Sequence, residues 1–139
     1  MEIRKTLASV RELVPHAITS ILKEISLRES LSEDDEYDFR LILEEALINA
    51  IQHGNDFNTG LKVKTKIVLE NDLLTITVSD EGKGFDYNAL PSPLEGNAKL
   101  EKSGRGIMLI KKISDEIRFN KTGSEITIIK KLKKVNKNK

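Results

Sequence analysis

From Leu61 onward the apolar period of the chain is two. Val63, Thr65, Ile67 and Leu69 alternate with Lys62, Lys64, Lys66 and Val68. Asn71-Asp72 is a turn signal, after which Leu74, Ile76 and Val78 resume the alternation. Two alternating runs joined by so short a turn predict an antiparallel hairpin. A hairpin with one apolar face needs a second layer to cover it, so the rest of the chain must supply helices or a second sheet.

Helices are what the flanking segments supply. Residues 2–8 alternate and predict a short first strand. Ser9 and Glu12 then have the spacing of a capping box. The helix behind them carries Leu13, Ala17, Ile18, Ile21, Leu22 and Ile25 at helical spacing, with Pro15 placed to bend it or delay its start. Ser32 predicts the N-cap of a second helix. The acids that follow, Glu33 to Glu36, suit the positive end of the helix dipole, a simpler reading than a metal or basic-partner site. That helix continues through Phe39, Leu43, Ala46, Leu47, Ala50 and Ile51, with Gly54 expected as its C′ residue. A third helix is predicted over 106–113. Strands follow at 117–119 and 126–132, around a turn at Thr122-Gly123-Ser124. Residues 86–103 show no period and carry Pro91, Pro93 and Gly96, so they read as a long loop. The order β-α-α-β-β-loop-α-β-β predicts an α+β sandwich: a mixed, mostly antiparallel sheet with helices on one face.

At 139 residues this is one domain. We read residues 1–132 as that domain and the Lys-rich 133–139 as a disordered tail. Lys plus Arg is 23 and Asp plus Glu is 22, which argues against direct nucleic-acid binding and against an anionic membrane surface. There is no Cys, so disulfides, thiolate metal sites and a Cys nucleophile are excluded, and a reducing cytoplasm fits. The two His are too few for a His-based metal site without carboxylates. No run is long and apolar enough to span a bilayer, and no signal-peptide core opens the chain.

Three short segments carry candidate chemistry. Glu45, Asn49 and His53 recur at i, i+4 and i+8 on one face of an otherwise apolar helix. That stripe is either a solvated helix end or a site. Asp80-Glu81-Gly82-Lys83-Gly84 ends an apolar strand, as an acidic turn or as a place where glycine lets backbone border a ligand. It is not an EF-hand loop, because Gly82 and Gly84 stand where oxygen ligands belong. Ser103-Gly104-Arg105-Gly106 opens a helix, whose free N–H groups suit an anion, and Arg105 adds a fixed cation. It is neither a dinucleotide fingerprint nor a Walker loop, since Leu109 replaces the third Gly and no Gly-Lys-Ser/Thr occurs.

In this order the three segments resemble the GHKL, or Bergerat-fold, superfamily of gyrase-like, chaperone, histidine-kinase and mismatch-repair ATPases. More narrowly they resemble its stand-alone anti-sigma factor and serine-protein kinase branch. Glu45 to Gly54 is similar to that branch's N-box, Asp80 to Asp86 to its first glycine box, and Gly104 to Ile107 to its second. Asp115-Glu116-Ile117 and Gly123-Ser124-Glu125-Ile126 continue the match.

The resemblance implies a site for ATP and Mg²⁺. Asn49 would give an oxygen to the metal, and Glu45 would be the general base. Asp80 would accept from the adenine amine, with Gly82 and Gly84 bordering the base and Ser124 close to it. Gly104, Arg105 and Gly106 would hold phosphates, Arg105 also offsetting charge during transfer. His53 would support the cofactor from behind its direct ligands, and 86–103 would be the lid. The implied function is an anti-sigma factor that is also an ATP-dependent protein serine kinase. It would sequester an RNA polymerase sigma factor, phosphorylate a STAS-domain anti-anti-sigma protein, and form a homodimer. The alternative is a regulatory module that binds ATP and a partner without phosphorylating it. A base at Glu45 argues against that alternative.

Overall fold

The 61–80 alternation folds as expected. In the computed structural model, which describes residues 1–82 and 104–133, β2 (Lys62–Glu70) and β3 (Leu73–Asp80) pair antiparallel, with Ile67 opposite Ile76. Asn71 and Asp72 both take positive φ, 51° and 62°, the geometry of a two-residue hairpin turn. β1 (Glu2–Ala8) adds to the free edge of β2. β5 (Glu125–Lys131) adds to β3, and β4 (Glu116–Phe119) closes the far edge. The strand order is β1-β2-β3-β5-β4, and every neighbouring pair is antiparallel. The expected sandwich is present. The sheet is antiparallel throughout the described residues, rather than mixed.

Three helices cover one face: α1 (Val14–Ser26), α2 (Glu33–Asn49) and α3 (Gly104–Ile113). Their apolar stripes bury Ile18, Ile21, Ile25, Phe39, Leu43, Leu47, Ile107 and Ile110 against Ile67, Ile76, Val78 and Ile128 of the sheet. Fully burying a side chain of this size contributes roughly 1.5–3 kcal/mol, so aliphatic packing holds the two layers together. No helix among the described residues is long and apolar enough to cross a membrane.

The ends of the helices depart from expectation. The Ser9 capping box does not form. Ser9 is buried, donates from Oγ to Leu61 O (2.7 Å) and accepts from Asn55 Nδ2 (2.8 Å). A 3₁₀ turn, Arg11–Leu13, intervenes, and α1 starts only at Val14. Pro15 thus delays the helix and sits in its first turn, where its missing N–H costs nothing. Leu13, expected on the buried stripe, is 38% exposed, and Val14 is buried instead.

Ser32 does cap α2, accepting from Asp35 N at 3.1 Å. The acids behind it also hold the end of the chain. Buried Asp35 accepts from Lys133 N (2.7 Å), and Asp34 pairs with Lys133 Nζ (2.7 Å). Asp38 pairs with Lys130 (3.1 Å), whose ammonium also donates to Ile113 O at the end of α3 (2.9 Å). Lys133, assigned above to the tail, is therefore tied to α2. Residues 134–139 lie outside the described residues.

Candidate functional site

α2 places Glu45 and Asn49 one turn apart where its last turns meet α3. Asn49 is buried, and among the described residues its Nδ2 has no hydrogen-bond partner. Leaving a buried amide unpaired costs about 1–3 kcal/mol, so a partner supplied from outside the chain is worth that much here. Glu45 is half-buried. Burial pushes its carboxyl above the ordinary value, the adjacent Glu44 charge adds to this, and Arg11 opposes it. Gly106, in the first turn of α3, lies directly against both side chains. A Cβ built there would stand 2.5 Å from Glu45 Oε2 and 3.3 Å from Asn49 Nδ2. Glycine at 106 therefore lets the start of α3 reach the carboxylate.

Beyond Asn49 the helix widens into a π turn, Ala50–Gly54, where Asn55 N donates to the Ala50 carbonyl five residues back (2.8 Å). Such turns disturb α phase and recur at functional sites. His53 therefore drifts off the stripe of Glu45 and Asn49. It is half-buried, and burial holds its imidazole below the usual value. It is not among the residues lining the cleft described below.

Gly54 does not act as a left-handed C′ residue, since Gly123 is the glycine with positive φ among the described residues. Gly54 is small because the end of β3 packs on it. A Cβ at Gly54 would run into the Asp80 carboxylate, and a Cβ at Gly82 into the Gly54 carbonyl.

Asp80 is held from two sides. Its N–H donates to Ser124 O across the strand pair (2.8 Å), and its Oδ1 accepts from Gly82 N (3.0 Å). Gly123 takes φ 75°, which turns Ser124 toward this strand end. Ser124 Oγ accepts from Asn120 Nδ2 (3.0 Å) and lies 2.8 Å from Thr122 Oγ1. A small cleft opens between these elements. Asn49, Asp80 and Ser124 provide its polar edges. Ala46, Ala50, Val78, Ile107, Phe119 and Ile126 make the remaining walls apolar. Small-molecule sites combine such apolar walls with a few placed polar groups.

The cleft thus unites Asn49, Asp80 and Ser124, and Gly106 joins Glu45 to it. The backbones of Gly104 and Arg105 form the start of α3, while the Arg105 side chain, Gly84 and the expected lid, 86–103, lie outside the described residues. Sequence reasoning missed the apolar walls, whose residues look like ordinary core, and it missed Asn55. Asn55 is 1% exposed and bonds through its side chain to three other segments. Its position after His-Gly, in a polar run, gives no hint of burial.

Residues 4–130 match the histidine kinase-like ATPase domain. The chain belongs to that family. Among its relatives in this ATPase family is the serine-protein kinase RsbW of Staphylococcus epidermidis, 30% identical over 81% of this chain and 76% of the relative. The anti-sigma F factor of Bacillus subtilis is also 30% identical, over 76% of this chain and 74% of the relative. The histidine kinase domain of an Erythrobacter litoralis blue-light activated kinase shares the fold, with a TM-score of 0.55 and 19% identity. The chain spans 91% of itself and 62% of that structure in the comparison. The histidine kinase-like ATPase fold and the GHKL assignment expected from the three motifs are both borne out.

Proposed function

We propose that this histidine kinase-like ATPase domain is an ATP-dependent protein serine kinase and anti-sigma factor of a partner-switching pathway. It would use Mg-ATP to phosphorylate a serine on a STAS-domain anti-anti-sigma protein, and it would sequester a sigma factor, acting as a homodimer in the cytoplasm. The curated names of the relatives, serine-protein kinase and anti-sigma F factor, support the two activities. The pairing of an orphaned, buried Asn49 amide with a half-buried Glu45 carboxyl carries the reading.

The residues present fit a metal nucleotide. The Asn49 amide can donate to a phosphate oxygen as it stands or, turned over, offer its oxygen to Mg²⁺, a hard ion that is usually held by few protein groups plus phosphates. When bound, Mg²⁺ neutralises charge on the phosphates. The apolar walls receive a base, and Asp80 accepts from the 6-amine of adenine, where guanine has a carbonyl oxygen that a carboxylate repels. Glu45 takes the proton of the incoming serine hydroxyl. That oxygen bonds to the γ-phosphorus as the bond to the bridging oxygen of ADP breaks. A carboxyl raised by burial is a stronger base than an exposed one, which suits this task. Gly104 and Gly106 offer backbone N–H groups at the start of α3 to phosphate, and Arg105 offsets charge there. Ser124 would stand beside the base and Gly82 near its edge.

The test is incubation with Mg-ATP and purified STAS-domain candidates, followed by intact-mass measurement. One phosphoryl group, about 80 Da, should appear on a serine of the substrate. It should be absent with Glu45→Gln. ATP binding without phosphorylation of any candidate would favour the non-catalytic module instead.

A further inference from the structure

Asn55 lies at the junction of four chain segments. Its Nδ2 donates to Ser9 Oγ at the end of β1 (2.8 Å) and to Lys62 O at the start of β2 (3.1 Å). Its Oδ1 accepts from Glu81 N, one residue beyond β3 (2.9 Å). Ser9 Oγ passes the network on to Leu61 O, and the Glu81 carboxylate accepts from Lys62 N (2.6 Å). Both N–H bonds of the amide are thus used, in a site 1% exposed. A satisfied buried network of this kind fixes one arrangement of its members.

What it fixes is the turn Asp80-Glu81-Gly82. A Cβ on Gly82 would stand 3.0 Å from Asn55 Oδ1, so the turn lies directly on the amide as well as on Gly54. The Glu81 N–H held by Asn55 and the Asp80 N–H held by Ser124 O belong to consecutive residues. With its backbone pinned on both sides and its Oδ1 accepting from Gly82 N, Asp80 is held at the polar edge of the cleft.

We infer that Asn55 is a positioning residue for base selection. It acts through the Glu81 amide to hold Asp80 in the orientation that distinguishes adenine from guanine. This rests on the nucleotide reading of the cleft given above. The Asn55 side chain joins the ends of β1, β2 and β3 at once, and an apolar or longer residue at 55 would leave Glu81 N and Lys62 O without this partner.

The test uses the full chain, with Asn55→Ala and Ser9→Ala. Ser9→Ala removes one of the two Nδ2 partners but leaves the bond to Glu81, so it stays informative if Asn55→Ala does not fold. Two measurements are made. The first is amide exchange at Glu81 without nucleotide. Asn55→Ala should speed it by about tenfold or more, while the central β2 and β3 amides hold their protection. The second is affinity for Mg-ATP and Mg-GTP. The preference for ATP should fall by about tenfold in Asn55→Ala and by less in Ser9→Ala, with GTP affinity little changed. A merely structural role would weaken both nucleotides alike and leave their ratio intact. That result, or unchanged exchange at Glu81, overturns the inference. If the unmutated protein does not distinguish ATP from GTP, the nucleotide reading fails. The exchange measurement then still decides whether Asn55 holds the turn.

Discussion

A methyl group on Gly106 would stand 2.5 Å from Oε2 of Glu45. The missing side chain on α3 is what allows the carboxylate on α2 its place. Gly106→Ala therefore sets two effects against each other. Alanine within a helix gains about 0.5–1 kcal/mol over glycine, while the contact forces Glu45 or α3 to shift. We expect a melting temperature within a few degrees of the original. Phosphoryl transfer should fall by roughly 10–100-fold, since small misplacements of a reacting group are costly. Thermal melts and initial rates on one preparation check both.

Glu45→Gln separates stability from catalysis. The folded carboxyl is raised by burial, so its ionised form is penalised in the folded state. That penalty is absent below the ordinary carboxylate range and grows as pH rises through the folded value. The variant should therefore melt higher than the original at pH 8. The two should converge near pH 4. Transfer should slow by roughly 10²–10⁴-fold with nucleotide binding retained. In the unmutated protein, the rate should decline as acid protonates Glu45. A pH series of melts and rates reads all of these.

Asn49→Ala should do the converse. It removes a buried amide that lacks a partner on one end, so little stability is lost, while Mg-dependent nucleotide affinity should fall by about tenfold or more. Calorimetry with and without Mg²⁺ tests it, and equal loss in both conditions would remove Asn49 from the metal role.

Gly54→Ala should be severe. The new methyl meets the Asp80 carboxylate within the rigid end of the sheet, and overpacking typically costs about 1–3 kcal/mol. Denaturant midpoints should drop accordingly, with adenine binding lost even where the protein is folded.

The hold of α2 on the chain end makes a prediction that depends on backbone rather than charge. Deleting 134–139 should leave stability nearly unchanged. Deleting 133–139 removes the N–H that Asp35 accepts and should cost about 1–3 kcal/mol, because a buried carboxylate loses its donor. Lys133→Ala keeps that N–H and loses only an exposed ion pair, so its midpoint should stay close to that of the unmutated protein. Three urea curves decide it.

Period and turn chemistry made most of the fold legible. The 61–78 alternation, the Asn71-Asp72 turn and the Ser32 cap each have a local cause, and each appears where expected. Local rules failed where a distant segment outbid them. Ser9 had the spacing of a cap, yet Leu61 and Asn55 claim its hydroxyl. Gly54 had the position of a helix terminator, yet Asp80 and Gly82 explain it. At the site, Asn49 and Asp80 were readable because their chemistry is conspicuous in apolar surroundings. Phe119 and Val78 were not, because a cleft wall and a core residue have the same pattern in one dimension.

The π turn at Ala50–Gly54 also works as a phase adjuster. It holds one more residue than an α turn would need between the Asn49 end of α2 and the seat under Asp80. Each residue of an α-helix advances about 100° around the axis. Closing the same residues as an ordinary α turn would leave Glu45 and Asn49 where they are and carry Gly54 and Asn55 past the strand end. Turn geometry here is therefore as constrained as composition. Loss of the π turn would uncouple the groups expected to meet phosphate from the group expected to meet the base, though it removes neither.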